Sequence, residues 1–151
     1  MFAGTMSCRL EGTSGFAPLI RRGVEHCHRN PRALHILLIL TTNGMADVKT
    51  VPHLEEKCRL AREETTKAIL AASEVPLSIV AIGVGDGPWG VYEAFNDHLH
   101  WRKFDNFTFV SWAEVAGAKF PAYELAKRAL TQIPSQLIQL QKLGLVDAGE
   151  S

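Results

Sequence analysis

Several groups of residues in this chain have the types and spacings from which chemistry can be built. Gly85-x-Gly87-x-x-Gly90 follows an apolar run and opens an amphipathic one, the setting in which glycines let a backbone approach a dinucleotide pyrophosphate. Against that reading, Asp105 precedes the next apolar run instead of ending it, and Pro88 removes an amide that would face the phosphates. His26-Cys27-His28 gathers metal-ligating side chains, but residues two apart on a helix diverge and no second ligand pair follows. The ordinary expectation there is a helix C-terminus carrying histidines near its carbonyls. Ser78 and Ser111 lack a Gly-x-Ser-x-Gly elbow, and Cys58 falls on an inward helix face where a thiol is inert packing. Thr13, Ser14 and Asn43, with Asp47 and Asp86 as the nearest carboxylates, offer oxygen donors for Mg²⁺ or Ca²⁺ with several waters. As a set they are weak, because such cations take carboxylates, Asn43 is neutral, and a loop hydroxyl is more often a cap.

The elements that must position these residues alternate in type. Leu77 to Val84 is apolar, rich in β-branched residues and without a polar face, which predicts a strand covered on both sides. His35 to Leu40 is a second run of this kind, with Thr41-Thr42-Asn43-Gly44 as its exit loop, and Phe107 to Val110 is a third strand. Phe16 to Arg29 spaces Phe16, Leu19, Ile20, Val24 and Cys27 along one helical face, with Pro18 tolerated in the first turn. Met45 to Leu54 carries a proline and no period, predicting a surface loop. Glu55 to Ser73 presents a small-residue stripe of Cys58, Ala61, Thr65, Ala68, Ile69 and Ala72, suited to a helix lying on a sheet. Trp89 to Leu99 predicts a short helix with Val91, Tyr92 and Phe95 inward, and Tyr123 to Gln132 and Ser135 to Lys142 predict two more joined at Pro134. Such alternation predicts an α/β fold with about three parallel strands, right-handed crossovers and flanking helices, and it sets Asn43 and Asp86 on the same rim. Three strands make a narrow sheet.

Composition sets the outer limits. The 151 residues, 46% apolar, suffice for one globular domain, read as an irregular N-terminal arm over 1–12, a domain over 13–145 and a flexible tail over 146–151. Charges balance at 16 basic and 16 acidic, so net charge gives no reason to expect nucleic acid or anionic lipid as a partner. Cys8, Cys27 and Cys58 are odd in number and irregular in spacing, which fits a reducing compartment. No apolar run approaches the roughly 20 residues that span a bilayer. The N-terminus has no hydrophobic leader, and Phe2 excludes a Met-Gly acylation start, so a soluble cytoplasmic protein is expected.

Colinear segments from about Thr13 to Gly144 resemble the von Willebrand factor A type domain of the copine family. They most resemble the plant-type copine-like proteins that carry a RING finger and act as ubiquitin ligases. The resemblance rests on Gly15-Phe-Ala-Pro-Leu-Ile20, His35-Ile-Leu-Leu-Ile-Leu40, Glu63-Glu64 through Ser73 and Pro76-Leu-Ser-Ile-Val80, and on Ile133-Pro134. Its most specific pair is Gly83-Val-Gly-Asp-Gly-Pro-Trp89 with Phe104-Asp-Asn-Phe-Thr-Phe-Val110. The resemblance implies a Rossmann-like sheet with a divalent-metal rim, and the departures from it are informative. No Asp-x-Ser-x-Ser stands anywhere in this sequence, Thr13 and Ser14 fall where the second metal loop holds a Thr, and Asn43 replaces the Asp before Gly44. Metal binding is therefore expected to be weak or absent, with Mg²⁺ or Ca²⁺ implied by the resemblance only and no cofactor expected. No cysteine follows Cys58, so the sequence holds no RING after the domain.

The combined expectation is a non-catalytic protein-interaction module, a truncated copine-type A domain with a degraded metal site. Ubiquitin-ligase action is the alternative, and a nucleotide-binding enzyme is a remote one resting on the glycine turn alone. In the complete fold the strand matching His35 to Leu40 lies mid-sheet, so here its edge is expected to be unpaired and apolar. A protein partner or self-association through residues 35–40 would cover it. The resemblance also implies nuclear or peripheral membrane locations beside the cytoplasmic one.

Overall fold

The computed structural model describes residues 15–42, 44, 52–97 and 99–148, the side chains of 52–55 and 97 excepted. Helix α1 spans Ala17–Arg29 and leads into strand β1, His35–Thr41. Helix α2, Pro52–Ala72, returns the chain to β2, Leu77–Gly83, and α3, Gly90–Asp97, does the same for β3, Phe107–Ser111. Three helices close the order: α4, Trp112–Val115; α5, Pro121–Leu130; and α6, Ile133–Lys142. The sheet runs β1-β2-β3, parallel throughout, with Leu38 beside Val80 and Val80 beside Thr108. The predicted α/β class and the three parallel strands are present.

The sheet's two faces are covered unequally. On one face Ile39, Ile79, Ala81, Phe107 and Phe109 join the α1 residues Ile20 and Cys27, the α2 residues Ala68, Ile69 and Ala72, and the α3 ring residues Tyr92 and Phe95 in the main core. Small residues on α2 allow that close approach, as the predicted stripe requires. On the other face Val80 and Ile82 of β2 and Val110 of β3 pack with Leu125 and Ala129 of α5. A third cluster of Leu34, Phe104, Leu140 and Val146 seals the N-terminal end of the strands under α6.

Double coverage holds for β2, all seven residues of which are buried, and fails for β1. The reason is lateral: α5 lies over β2 and β3, and nothing among the described residues lies over the second face of β1. Several boundaries also move. Helix α2 begins at Pro52, inside the predicted loop 45–54, because a first-turn proline gives up only an N–H that a helix start leaves unpaired; residues 45–51 lie outside the description. For the same reason Pro121 sits in the first turn of α5, and Pro134 takes the first-turn place in α6 that the sequence predicts, with α6 starting at Ile133. Helix α4 has no periodic signal at four residues and was not predicted. The chain after α6 turns back on the sheet, with Val146 buried and bridged to Arg32 and Asp147 ion-paired to the Arg32 guanidinium at 2.5 Å. Among the described residues no helix is long and apolar enough to cross a membrane.

Candidate functional site

The rim at the C-terminal ends of the strands is where the sequence placed its chemistry. The Val84 N–H donates to the Thr41 carbonyl at 2.8 Å, which brings the exits of β1 and β2 together, and Gly44 lies against the Pro88 carbonyl. Asp86 stands exposed on this rim. Thr13, Ser14, Asn43 and Asp47 lie outside the described residues. Among the described residues no three His, Cys, Asp or Glu side chains form a metal-ligating group, so the described rim offers Asp86 without the donor set a hard cation needs.

The glycine turn is occupied by the chain itself. Trp89 folds inward and is 8% exposed, its ring 5.7 Å from that of Phe109 and 6.2 Å from that of Tyr92. A Cβ on Gly83 would meet the Trp89 ring at 2.8 Å and Phe109 at 2.9 Å, so Gly83 is glycine to seat that indole. Gly87 turns the chain into Trp89 with φ of +82°, a conformation that costs other residues free energy. Of the three glycines in the phosphate-like spacing, Gly87 is thus the one set against Trp89, while a Cβ on Gly90 would meet nothing within 4 Å. The partner motif is structural as well: Asn106 is fully buried and donates its Nδ2 to the Ile69 carbonyl at 2.9 Å, while the Ile79 N–H donates to the Asn106 carbonyl at 2.7 Å. Gln136 of α6 donates to the adjacent Asp105 carbonyl at 2.7 Å. Asn106 therefore ties α2 and β2 to the start of β3.

His26 and His28 do not converge. Instead the His26 ring meets His35 edge-on, with centroids 5.4 Å apart, and His35 Nε2 bonds the Asn30 carbonyl at 2.9 Å. Sequence spacing missed this pair because the two residues meet through the turn after α1. Cys27 and Cys58 are both buried and unbridged, and burial pushes the Cys27 thiol up to about 11. Tyr92, stacked on Phe16 at 4.4 Å, is pushed up to about 12 chiefly by burial, with a smaller contribution from Cys58. Neither group is an activated nucleophile. Ser78 and Ser111 are buried within the sheet.

The most distinctive surface is the outer side of β1. Its burial alternates, and Ile36, Leu38 and Leu40 are 48%, 57% and 67% exposed. The parallel ladder also alternates in direction: the His35 N–H donates to the Pro76 carbonyl at 2.8 Å and the Thr41 carbonyl accepts from Val84, so the odd-numbered residues of β1 bond to β2. Ile36, Leu38 and Leu40 consequently turn both their backbone groups to the open edge and their side chains to the open face. No strand among the described residues pairs there.

Among the described residues, a parallel three-stranded α/β unit with β1 open at one edge is the class of domain these features define. The sequence profile of the copine family matches residues 3–148, and the chain belongs to that family. It is similar to E3 ubiquitin-protein ligase RGLG5 of Arabidopsis thaliana, 37% identical over 142 residues that make up 91% of this chain and 32% of that protein. It is likewise similar to E3 ubiquitin-protein ligase RGLG3 of the same plant, at 38% over 85% of this chain and 35% of the relative. Copine family protein 2 of Caenorhabditis elegans is 36% identical over 94% of this chain and 2% of its own length. The chain thus spans about a third of the plant relatives' length and far less of the animal one.

Proposed function

We propose that this chain is a non-catalytic protein-interaction module, a partial copine-type A domain that docks through the outer edge and open face of β1. The observation that carries this reading is the coincidence, on Ile36, Leu38 and Leu40, of exposed apolar side chains with outward-turned backbone groups. Strand addition uses both, taking affinity from main-chain hydrogen bonds and selectivity from alternate side chains. The strand His-Ile-Leu-Leu-Ile-Leu-Thr carries no lysine, proline or carboxylate of the kind that blunts an unused edge.

Two expectations travel with this reading. The positions Thr13, Ser14 and Asn43 hold divalent metal poorly, since a neutral amide at 43 removes a charged donor; calorimetric titration is expected to show no stoichiometric Mg²⁺ or Ca²⁺ uptake. The location is cytoplasmic, with nuclear or peripheral membrane placement following the resemblance. The second reading, a part in ubiquitin ligation, is favoured by the names of the plant relatives. Purified chain supplied with ubiquitin, activating and conjugating enzymes and ATP is expected to transfer no ubiquitin; transfer would overturn the non-catalytic reading. Nucleotide binding has the least support, given Trp89 in the glycine turn, and NAD or ATP is expected to leave the melting temperature unchanged.

A further inference from the structure

We infer that Asn106-Phe107-Thr108 is an N-glycosylation acceptor whose use and whose fold exclude one another, which confines the folded chain to the cytoplasmic and nuclear side of membranes. The inference goes beyond the docking reading and uses none of its residues. It narrows any peripheral membrane placement to the cytoplasmic leaflet. Asn-x-Thr with x other than Pro is the acceptor pattern, and it occurs once in the 151 residues. An acceptor that carries its glycan lies on the surface, because the glycan is bulky and hydrated. Here Asn106 leads directly into β3, and all three residues are buried, Asn106 completely.

The atom a glycan would occupy is Asn106 Nδ2, and that atom donates to the Ile69 carbonyl of α2 at 2.9 Å. The backbone of the same residue is held too, its carbonyl accepting from the Ile79 N–H at 2.7 Å. A sugar on Nδ2 would force a hydrated group between α2 and the sheet, so the modified chain cannot close its core. The order of synthesis decides which event comes first. Part of what encloses this segment is made after it: Gln136 of α6 donates to the Asp105 carbonyl, and Leu140 packs with Phe104. A chain entering the secretory lumen N-terminus first therefore presents an open acceptor before α6 can cover it. Transfer there joins Nδ2 to the anomeric carbon of a lipid diphosphate-linked oligosaccharide, breaks that carbon's bond to phosphate, and releases the amide proton and the lipid diphosphate. In the cytoplasm no such donor meets the chain, and Asn106 stays free to tie α2 to the start of β3.

Expression of the full chain in eukaryotic cells, with and without a cleavable secretory leader, tests the inference. The directed chain is expected to carry a glycan, seen as a band shift that glycosidase removes, and to lose the protease resistance of the undirected chain. Thr108→Val removes the hydroxyl the acceptor pattern needs and leaves Asn106 in place. The directed variant is expected to stay unmodified and to keep its resistance, with the undirected variant as the control for folding. Blocking lipid-linked oligosaccharide synthesis is expected to do the same for the directed parent chain without any substitution. A glycosylated chain as resistant as the undirected one would overturn the inference, and so would a directed parent chain that folds unmodified with transfer intact. A directed parent chain still protease-sensitive after transfer is blocked would overturn it as well, since the glycan would not be what prevents folding. None of these results touches the β1 edge, whose docking reading is tested separately by amide exchange.

Discussion

The sheet has two edges, and they are treated in opposite ways. Strand β3 is short and buried at all five residues, and the outward N–H of Phe109 is satisfied by Asn96 Oδ1 of α3 at 3.1 Å. Strand β1 is two residues longer, is buried only on its inward face, and has no such side-chain cap among the described residues. An edge is therefore blunted here by a neighbouring helix that lends one polar side chain. That helix is α3, which packs on β3, and no helix among the described residues lends such a side chain to the β1 edge. Among the described residues β3 is covered and β1 is not, and the proposed docking rests on that difference.

The largest effect that separates the edges is truncation. Phe109→Ala removes a ring packed against Trp89 and Tyr92 and is expected to cost about 3–5 kcal/mol, whereas Leu40→Ala on the open face of β1 should stay within about 0.5 kcal/mol. Equal losses in denaturant melts would break the comparison. The covered face also titrates. The native Cys27 thiol holds its proton to about pH 11 where the ordinary thiol loses it near 9.0, so its stabilisation is full below pH 9 and is lost as pH rises toward 11. Tyr92, raised by the same burial, extends the loss to about 12. Stability in alkaline melts is expected to fall across this window, and less steeply in Cys27→Ala. Asn96→Ala uncaps the β3 edge, at a cost of about 1 kcal/mol and with faster exchange at the Phe109 amide. The smallest change belongs to Leu38→Ser, expected within about 0.5 kcal/mol of the parent in the dilute chain.

Much of the fold was legible because its signals are local. β2 is apolar without alternation and is buried throughout, and the small-residue stripe of α2 does face the core. Coverage of β1 was not legible, since Ile36 and Ile39 look alike in sequence and differ only in whether a helix from elsewhere arrives above them. The glycine turn was misleading for a similar reason. Gly87 answers to Trp89, two residues on, and the glycine spacing alone cannot tell a ring from a phosphate. The His26–His35 contact and the Asn96 cap depend on tertiary placement that periodicity does not encode. The site residues expected from the metal loops, Thr13, Ser14 and Asn43, fall outside the described structure, so their chemistry rests on calorimetry.

Residue-resolved hydrogen exchange on the dilute chain tests the open edge most directly. Along β1 the amides of Leu37, Ile39 and Thr41 point to β2 and those of Ile36, Leu38 and Leu40 point outward. The expected result is an alternation, slow at the odd positions and fast at the even ones, with Phe109 on the opposite edge slow. Uniform protection from 36 to 41 in a monomeric sample would mean that the edge is already covered and would contradict the account.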